Sequence, residues 1–404
     1  MKKCLFRKLN IMAVLLVFVL AMTACASGSG GKDWEGDFPK PVSSSADIFD
    51  AEYIPVTSVD DADKTTEGDI LYINATASPF VIGGIVHPDD NGGEYYRLNA
   101  AQKDVYSAGN RNTAYHTAGA TLRFRTNADH VFLKVSLRNS TSGMEYFTDR
   151  GIFGFDIYTG TGTNHTYCGA TRQLFTNSTG FTEMVELPGG YQEVTINLPL
   201  YAGIDKIEIG FPEGTEIAAP TERAYAPICF YGSSITQGGC VSRPGLAYSH
   251  IVCRMMNADN LNLGFSSSAK GEQSIAEYIA SREISAFVMD YDHNNSINGL
   301  RETHYEFYKT VRDAHPDIPI IMVTAPTYYE EDTEAQIERQ KIIKESYDKA
   351  VKAGDDNVYY ISGSEFFPEE MPDLFSSDML HPNDLGHYYM AKEIFAILRP
   401  ALSE

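Results

Sequence analysis

The 404-residue sequence is short of basic residues, of tryptophan and of closely paired cysteines. Its 32 lysines and arginines stand against 54 aspartates and glutamates, which gives a formal net charge of −22. Because a protein this acidic repels polyanions, we expect no nucleic-acid partner and an uncharged substrate. No internal repeat is evident, and a hydrophobic content of 43% indicates a globular protein with a substantial core.

The six cysteines lack the paired spacing of a zinc site, so the sequence predicts no metal bound by cysteine. Disulfides remain open, because three full pairings are possible among the four cysteines that follow the N-terminal region, which are Cys168, Cys229, Cys240 and Cys253. Cys229 lies in an apolar run, which is typical of a buried free thiol.

The N-terminus lacks a hydrophobic run long enough to span a membrane. A basic start precedes the apolar run at 11–21, and small residues follow it, as in a secretory signal peptide. The residues before Cys25 resemble a bacterial lipobox, with Met22 where leucine is more usual. The resemblance implies cleavage before Cys25, a lipid on its sulfur and a location on the outer face of the bacterial membrane. Ordinary secretion, with cleavage near Ala24 or Ala26, is the alternative.

Changes in the spacing of hydrophobic residues divide the chain into four parts. The signal peptide covers residues 1–24, and residues 25–67 have no sustained period, which indicates a flexible linker. Residues 68–222 contain short alternating runs separated by turn-forming pieces, as in an antiparallel sandwich. Residues 223–404 alternate apolar runs with helical patterns, as in a parallel sheet covered on both faces.

The last part contains five predicted strands, each followed by a predicted helix. The strands are placed at 228–231, 261–265, 286–290, 318–323 and 358–361, and the helices near 246–257, 272–281, 301–314, 332–353 and 384–398. The predicted fold class is therefore α/β, a three-layer flavodoxin-like domain with a five-stranded parallel sheet, preceded by an all-β jelly-roll or sandwich domain.

A glycine-rich turn, Tyr231-Gly232-Ser233-Ser234-Ile235-Thr236-Gln237-Gly238-Gly239, follows the first predicted strand of the parallel sheet. Open α/β sheets carry their chemistry at the carboxyl ends of their strands. The glycines allow a sharp turn that leaves Ser234 exposed, as nucleophilic serines are usually mounted. By itself, such a turn is more typical of serines that only satisfy local backbone groups.

Asp378 and His381 lie three residues apart on a predicted loop at the same edge of the sheet. A histidine there can accept the proton of Ser234, and the carboxylate can hold the imidazole and stabilise its charged form. An isolated pair with this spacing would indicate only a surface loop.

Four segments occur in the order and approximate spacing of the four conserved blocks of the SGNH, or GDSL, hydrolases, which this part of the chain resembles from about residue 226 to its end. The segments are Gly232–Thr236, Asn262–Ser267, Asp290–Asn294 and Asp378–His381. The resemblance implies that Ser234 is the nucleophile, His381 the general base and Asp378 its orienting acid, and that no cofactor is needed.

The same resemblance implies an oxyanion hole formed by the backbone N–H groups of Ser234 and Ser267 and the side-chain amide of Asn294. Two residues depart from the family pattern. Ser233 replaces the usual aspartate before the nucleophile, and Ser267 replaces the usual glycine. The N–H of Ser267 is therefore in place only if a non-glycine residue adopts that backbone geometry.

The segment Gly154–Tyr158 resembles the G-x-D-L-Y signature of a β-sandwich domain that precedes one branch of these hydrolases, with Ile157 in place of leucine. That branch resembles secreted bacterial carbohydrate esterases with two domains. Asp156 and Tyr158 are also typical of residues with a purely structural role in a sandwich. Arg243, which follows the nucleophile turn, is a candidate substrate contact, with a solvated loop residue as the alternative.

Together these features predict a lipid-anchored serine esterase that removes acetyl or other short acyl groups from a poly- or oligosaccharide. One alternative is a lysophospholipase or thioesterase of the same fold, which would need an apolar acyl channel. A second is a catalytically impaired carbohydrate-binding lipoprotein, for which Ser267 is the main argument. Acyl transfer onto a glycan would use the same three residues.

Overall fold

The computed structural model describes residues 46–139, 144–171, 178–328, 333–368 and 371–403. The predicted signal peptide, the predicted lipid-bearing Cys25 and the linker up to residue 45 lie outside these ranges. In the described ranges, no helix is both long enough and apolar enough to cross a membrane.

The first domain is built from antiparallel strands and a few short helices. In chain order its elements are α1 (Ala46–Phe49), β1 (Ile54–Pro55), β2 (Lys64–Glu67), β3 (Ile70–Asn74), β4 (Val81–Gly83), α2 (Ala108–Thr113), β5 (Thr121–Thr126), β6 (His130–Leu137), α3 (Asp149–Phe153), β7 (Asp156–Thr159), β8 (Thr166–Ala170), β9 (Gly180–Glu186), β10 (Gln192–Asn197), β11 (Ile204–Pro212) and β12 (Glu216–Ala218). One sheet has the order β1-β12-β5-β10-β7-β8, with β4 also paired to β5, and the other has the order β2-β3-β11-β6-β9. The predicted all-β first domain is confirmed.

Strand β6 shows how the sequence pattern sets the faces of the sandwich. Val131, Leu133, Val135 and Leu137 are buried, whereas the residues between them are partly or fully exposed. Successive side chains of a strand point to opposite faces, so this alternation leaves one face for the core and one for solvent. The buried residues join a core shared by both sheets.

Two strands lie within residues 25–67, for which the sequence predicts a flexible linker. Ile54–Pro55 pairs with β12, and Lys64–Glu67 pairs with β3, so the first domain begins well before residue 68. These strands have two and four residues, which is too short to show a hydrophobic period.

Strands β5 and β10 are buried on both faces, unlike β6. On their outer face Arg123 donates a hydrogen bond to Glu193 at 2.8 Å, and Glu193 accepts another from the backbone of Thr221, in the connection to the second domain. The β-carbon of any residue larger than glycine at position 83 would lie 2.7 Å from Asp259. The second domain therefore covers this sheet.

The second domain contains five parallel strands and six helices within the described residues. In chain order these are β13 (Tyr225–Gly232), α4 (Ser234–Gln237), α5 (Tyr248–Met256), β14 (Ala258–Gly264), α6 (Gln273–Ala280), β15 (Ala286–Asp290), α7 (Ile297–Ala314), β16 (Ile320–Val323), α8 (Glu334–Lys352), β17 (Val358–Ile361) and α9 (Asp384–Ala401). Every predicted strand and helix of this domain is present.

The parallel sheet has the strand order β14-β13-β15-β16-β17, which is the flavodoxin-like order and confirms the predicted fold class. On one side α5 packs against α9, and elsewhere α6, α7 and α8 pack in series. The chain leaves β13 in one direction and returns to β15 on its other side. Such a reversal opens a crevice at the carboxyl ends of these strands, where ligands bind.

The two domains share their hydrophobic cores. Val241 and Ala247, from the second domain, belong to the core of the sandwich. Tyr96, Leu98 and Tyr106, from the first domain, belong to the core beside the parallel sheet. An interface of this kind is buried and apolar, so the two domains should fold and unfold as one unit.

Candidate active site

Ser234 is the first residue of helix α4, directly after strand β13. The side chain of Ser233 accepts a hydrogen bond from the backbone of Ile235 at 3.1 Å and caps this helix. A β-carbon at Gly232 would lie 2.0 Å from the carbonyl oxygen of Asp290, so only glycine fits at this turn. Ser233, at the position where the family pattern has aspartate, thus caps this helix.

The structure brings Ser234, His381 and Asp378 together in a hydrogen-bonded chain. The hydroxyl oxygen of Ser234 lies 2.7 Å from Nε2 of His381. Nδ1 of His381 lies 2.7 Å from Oδ2 of Asp378. With Nδ1 donating to the carboxylate, Nε2 is free to accept the serine proton.

The loop that carries Asp378 and His381 is held by its own backbone. Oδ1 of Asp378 accepts hydrogen bonds from the backbone N–H groups of Leu380 at 3.0 Å and His381 at 2.7 Å. Burial raises the pKa of the Asp378 carboxyl, but these bonds and the His381 ring outweigh it, so that the net pKa is lowered. Asp378 is therefore ionised at neutral pH, as a residue that stabilises an imidazolium must be.

The ring of His381 packs against Phe147 of the first domain and against the nucleophile turn. The centroids of the Phe147 and His381 rings are 5.2 Å apart, in an edge-to-face arrangement. A β-carbon at Gly239 would lie 2.9 Å from Phe147 and 3.0 Å from the His381 ring. Gly239 is thus needed for this close approach, and the first domain helps to fix the imidazole.

Ser267 adopts a left-handed backbone conformation with φ of 58°. The position where the family has glycine therefore keeps the geometry that glycine would favour, although a serine occupies it. For a residue with a side chain this conformation costs about 1 kcal/mol.

Two backbone N–H groups at the site, those of Ser234 and Ser267, donate to no acceptor within the described part of the chain. The side-chain amide of Asn294 donates to the carbonyl of Phe265 at 3.1 Å, which uses one of its two N–H groups. Three predicted oxyanion donors thus lie at one site with an N–H group available from each.

A cavity of about 460 Å³ opens over these residues. It is bordered by Ser234, His381 and Asp378, by the other two oxyanion donors and by residues 144–147 of the first domain. Its lining comprises Met144, Glu145, Tyr146, Phe147, Ser233, Ser234, Ile235, Ser266, Ser267, His293, Asn294, Asp378, Leu380 and His381.

A buried carboxyl group lies behind the nucleophile turn. Oδ2 of Asp290 accepts hydrogen bonds from Thr236 at 2.9 Å and Tyr248 at 3.1 Å. Burial, aided by the nearby Asp292 charge, raises the pKa of Asp290 to about 8, against the opposing effect of the two hydroxyl donors. Through Thr236, the Asp290 side chain supports helix α4. Because its pKa is about 8, this carboxyl group is mostly protonated at neutral pH.

Arg243 does not line the cavity. Its guanidinium donates hydrogen bonds at 2.5 Å to Asp156 and to the hydroxyl of Tyr158, and it lies 4.0 Å from the centroid of the Tyr167 ring. Asp156 is fully buried and also accepts hydrogen bonds from Asn197 and from the backbone of Gly245. The structure therefore gives Arg243 and the G-x-D-L-Y-like segment a joint role in tying the two domains together.

The structure contains no disulfide among the four cysteines whose pairing the sequence left open. Free thiols are found at Cys168, Cys229, Cys240 and Cys253. Among the described residues, Cys240, Asp378 and His381 place possible metal-ligating atoms within 4.8 Å of one another. A metal ion held there would compete with the hydrogen bond between Asp378 and His381. The absence of a metal remains a prediction.

Several residues at the site carried no signal in the sequence. Tyr146 and Phe147 lie on the first domain but line the cavity. Tyr201, also from the first domain, donates a hydrogen bond to the carbonyl oxygen of Ser234 at 2.9 Å. Residues on an irregular loop show no period, so only the folded chain reveals that they meet the nucleophile.

Comparisons with known proteins agree with this geometry. A model of the GDSL-like lipase/acylhydrolase family matches residues 225–399. A model of the GxDLY domain, described as the N-terminus of SGNH-hydrolase-type esterases, matches residues 70–217. Among curated protein sequences, none matches the chain.

Solved structures share the two-domain architecture. A protein from Bacteroides ovatus described as GDSL-like lipase is 25% identical, with a TM-score of 0.73 over 83% of this chain and 98% of its own. A salicylyl-acyltransferase from a tetracycline biosynthetic pathway is 16% identical, with a TM-score of 0.68 over 84% and 99%. A family two carbohydrate esterase from Clostridium thermocellum, in complex with cellohexaose, is 14% identical, with a TM-score of 0.52 over 71% and 93%. The last two resemblances concern the fold.

The two family models fall on the two domains in the expected order, and the strand order and the site agree with them. Residues 225–399 therefore form an SGNH, or GDSL-like, hydrolase domain of an ester-hydrolysing enzyme, and this domain follows a GxDLY domain at residues 70–217.

Proposed function

We propose that the protein is a carbohydrate esterase that removes acetyl or other short acyl groups by a serine mechanism. The observation that carries this proposal is the hydrogen-bonded chain from Ser234 through His381 to Asp378, which opens on a cavity with three oxyanion donors. The nucleophile, the base and the orienting acid each have the partner that their role requires.

In the proposed reaction the Ser234 oxygen attacks the ester carbonyl while Nε2 of His381 takes the hydroxyl proton. Asp378 remains ionised and stabilises the imidazolium through Nδ1. The negative charge on the tetrahedral intermediate is held by the N–H groups of Ser234 and Ser267 and by the Asn294 amide. As the bond between the acyl carbon and the sugar oxygen breaks, His381 protonates that oxygen, so the sugar leaves with a free hydroxyl and the acyl group stays on Ser234.

A water molecule completes the cycle. His381 takes a proton from this water, whose oxygen attacks the acyl carbonyl on Ser234. The second tetrahedral intermediate uses the same oxyanion donors, and its collapse releases the carboxylic acid. Ser234 recovers its proton from His381, so the enzyme returns to its starting state without a cofactor.

The cavity supports a short acyl group. Small hydroxyl-bearing residues, Ser233, Ser266 and Ser267, border the nucleophile. A long acyl chain would need a continuous apolar channel, whereas the lining of this cavity also includes the charged groups of Glu145 and Asp378. A lysophospholipase or thioesterase is therefore less well supported than an esterase for acetyl groups.

The rim of the cavity supports a sugar substrate. The side chain of Tyr146 is 61% exposed there, and Leu380 is also exposed. Sugar rings present apolar faces that pack on exposed aromatic rings. The carbohydrate esterase of similar fold, which was solved with cellohexaose, adds support for a glycan substrate.

The backbone at Ser267 weighs against a catalytically impaired binding protein. Loss of the oxyanion donor was the main argument for that alternative, and φ of 58° keeps the N–H in the left-handed geometry that glycine would provide. An acyl transferase would use the same residues, so product analysis must decide between water and a sugar hydroxyl as the acceptor.

We also propose that Cys25 carries a lipid that holds the enzyme on the outer face of the membrane. The small residues before Cys25 and the basic, apolar start of the chain support this. Cys25→Ser should release active enzyme into the medium. Recovery of the wild-type protein in the medium with a free N-terminal cysteine would contradict the anchor.

The substrate test measures acetate released from acetylated xylan, mannan and peptidoglycan, beside p-nitrophenyl esters of two and eight carbons. We expect acetate from at least one glycan and a preference for the acetyl over the octanoyl ester. A preference for octanoyl would favour the lipase alternative. Appearance of newly acylated oligosaccharide instead of free acetate would identify a transferase.

A further inference from the structure

Arg97, from the first domain, is fully buried and extends into the second domain. Its guanidinium donates to the carbonyl oxygens of Asn262 at 2.9 Å and Gly264 at 2.7 Å, and on its other side to Thr113 at 2.8 Å. One arginine thus connects the end of strand β14 to helix α2 of the sandwich domain.

No carboxylate pairs with Arg97 in the described part of the chain, because its hydrogen-bond acceptors are backbone carbonyls and the side-chain oxygen of Asn262. Burial lowers the pKa of Arg97 to about 9, so the group remains charged at neutral pH. A buried cation without an opposite charge is unfavourable for stability. Its presence here calls for a role other than packing.

The strand end whose carbonyls Arg97 binds continues into residues 265–268, which we call the oxyanion loop because they include Ser267. Phe265 follows Gly264, and the guanidinium carbon lies 4.7 Å from the centroid of its ring. Ser267, with its left-handed backbone, follows two residues later. A β-carbon at Gly264 would lie 2.2 Å from the backbone nitrogen of Gln237, so the end of β14 is pressed against the nucleophile helix.

A second set of contacts from the first domain reaches the same loop. Gln237, on helix α4, accepts a hydrogen bond from the backbone of Ser266 at 2.9 Å. Its amide nitrogen donates to the carbonyl of Leu200 and lies 2.9 Å from Nδ1 of His116. The β-carbon of any larger residue at Gly109 would lie 2.4 Å from the Ser268 hydroxyl. The sandwich domain therefore supports this loop at several points.

We propose that Arg97 is a positioning residue for the oxyanion hole, an inference that depends on the proposed serine mechanism. By binding two carbonyls at the end of β14, it fixes the backbone so that the N–H of Ser267 faces the developing oxyanion. Its buried positive charge also favours the negative charge of the tetrahedral intermediate. Removing it should therefore affect the transition state more than the binding of the substrate.

The experiment compares Arg97→Met and Arg97→Lys with Arg312→Met in the full-length protein. Arg312 is the control, because it is a nearly buried arginine whose NH1 donates to the carbonyls of His315, Pro316 and Ile318, and it lies outside the cavity lining. Unlike Arg97, it also pairs with a carboxylate, that of Asp355. Each variant is assayed with p-nitrophenyl acetate for kcat and KM, and its melting temperature is measured.

We expect Arg97→Met to lower kcat at least roughly tenfold, with KM changed by less than about twofold. Arg97→Lys should give an intermediate kcat, because an ammonium keeps the charge but lacks the fork that binds several carbonyls. Arg312→Met should lower the melting temperature and leave kcat within about twofold of the wild type.

A folded Arg97→Met enzyme with wild-type kcat would overturn the inference, as would an equal loss of kcat in Arg312→Met. If Arg97→Met does not fold, Arg97→Lys decides, and wild-type kcat in that variant would overturn the inference. Failure of the serine mechanism itself is recognised separately, because Ser234→Ala would then keep its activity.

Discussion

Nε2 of His381 lies 2.7 Å from the hydroxyl oxygen of Ser234, although 147 positions separate these residues in the chain. They meet because strand β13 and the loop that precedes helix α9 both reach the carboxyl edge of the parallel sheet. A β-carbon at position 239 would lie only 3.0 Å from the imidazole ring. Because Gly239 has none, the ring can approach the nucleophile turn closely. The fold thus creates the hydrogen bond that proton transfer requires.

Ser267→Gly should retain esterase activity within about twofold of the wild type, because glycine adopts the same left-handed backbone and keeps its N–H. Ser267→Pro should reduce kcat on the order of a hundredfold, since proline has no N–H and fixes φ at a negative value. Initial rates with p-nitrophenyl acetate check both variants, with circular dichroism to confirm folding. Equal activity in all three proteins would remove Ser267 from the oxyanion hole.

Asp290→Asn should change how stability depends on pH. Burial raises the pKa of Asp290 from 3.8 to about 8, so between these values the folded protein binds a proton that the unfolded chain has released. The free energy of unfolding contributed by this group therefore falls as the pH rises through that range and is level above it.

Melting temperatures of the wild type and Asp290→Asn across this range test the prediction. The contributions of the other titrating groups to the pH dependence of stability cancel in the difference between the two proteins. The variant should therefore gain stability relative to the wild type as the pH rises. Parallel curves would show that Asp290 is ionised in the folded protein.

Arg243→Met should destabilise the protein without weakening substrate binding. It leaves the fully buried Asp156 without its cationic partner, which costs on the order of 3 kcal/mol in the free energy of unfolding. The KM for an acetylated oligosaccharide should stay within about twofold. Arg301→Met, which breaks an exposed ion pair with Glu338, is the control and should leave the free energy of unfolding nearly unchanged, because solvent screens such a pair. A higher KM with unchanged stability would make Arg243 a substrate contact after all.

Tyr146→Ala should weaken the recognition of a glycan but not the chemistry. Loss of about 1 kcal/mol of aromatic contact corresponds to a roughly fivefold higher KM for acetylated oligosaccharides. The kcat and KM for p-nitrophenyl acetate should not change, because this ester has no sugar to contact the rim. Tyr191→Ala, at a partly exposed tyrosine outside the cavity, serves as the control. An equal rise in KM for the acetylated oligosaccharide and for p-nitrophenyl acetate would show that Tyr146 supports the structure of the site and does not contact the sugar.

The parallel sheet could be predicted from the sequence because its strands are contiguous apolar runs. Residues 286–290, for example, are buried throughout. The nucleophile, base and acid could be predicted because each lies in a short motif whose order along the chain is informative. Ser267 could be placed in the oxyanion loop, but its backbone angle could not be derived from its identity, since serine rarely adopts a positive φ.

The contribution of the first domain could not be predicted. Arg97, His116 and Tyr201 lie in irregular segments, and nothing in the sequence distinguishes a fully buried arginine from an exposed one. Arg243 follows the nucleophile turn closely, which suggested a substrate contact. The structure turns its side chain away, towards a buried carboxylate on the other domain. Proximity along the chain was a poor guide where the two domains meet.

The most direct test of the serine mechanism is the rate of acetate release from an acetylated polysaccharide by wild-type enzyme and by Ser234→Ala, with both proteins shown to be folded. We predict that the wild type releases acetate and that the substitution lowers kcat by at least about 10³-fold, because the remaining groups cannot supply a nucleophile. Acetate release by Ser234→Ala at the wild-type rate would contradict the assignment of Ser234 as the nucleophile.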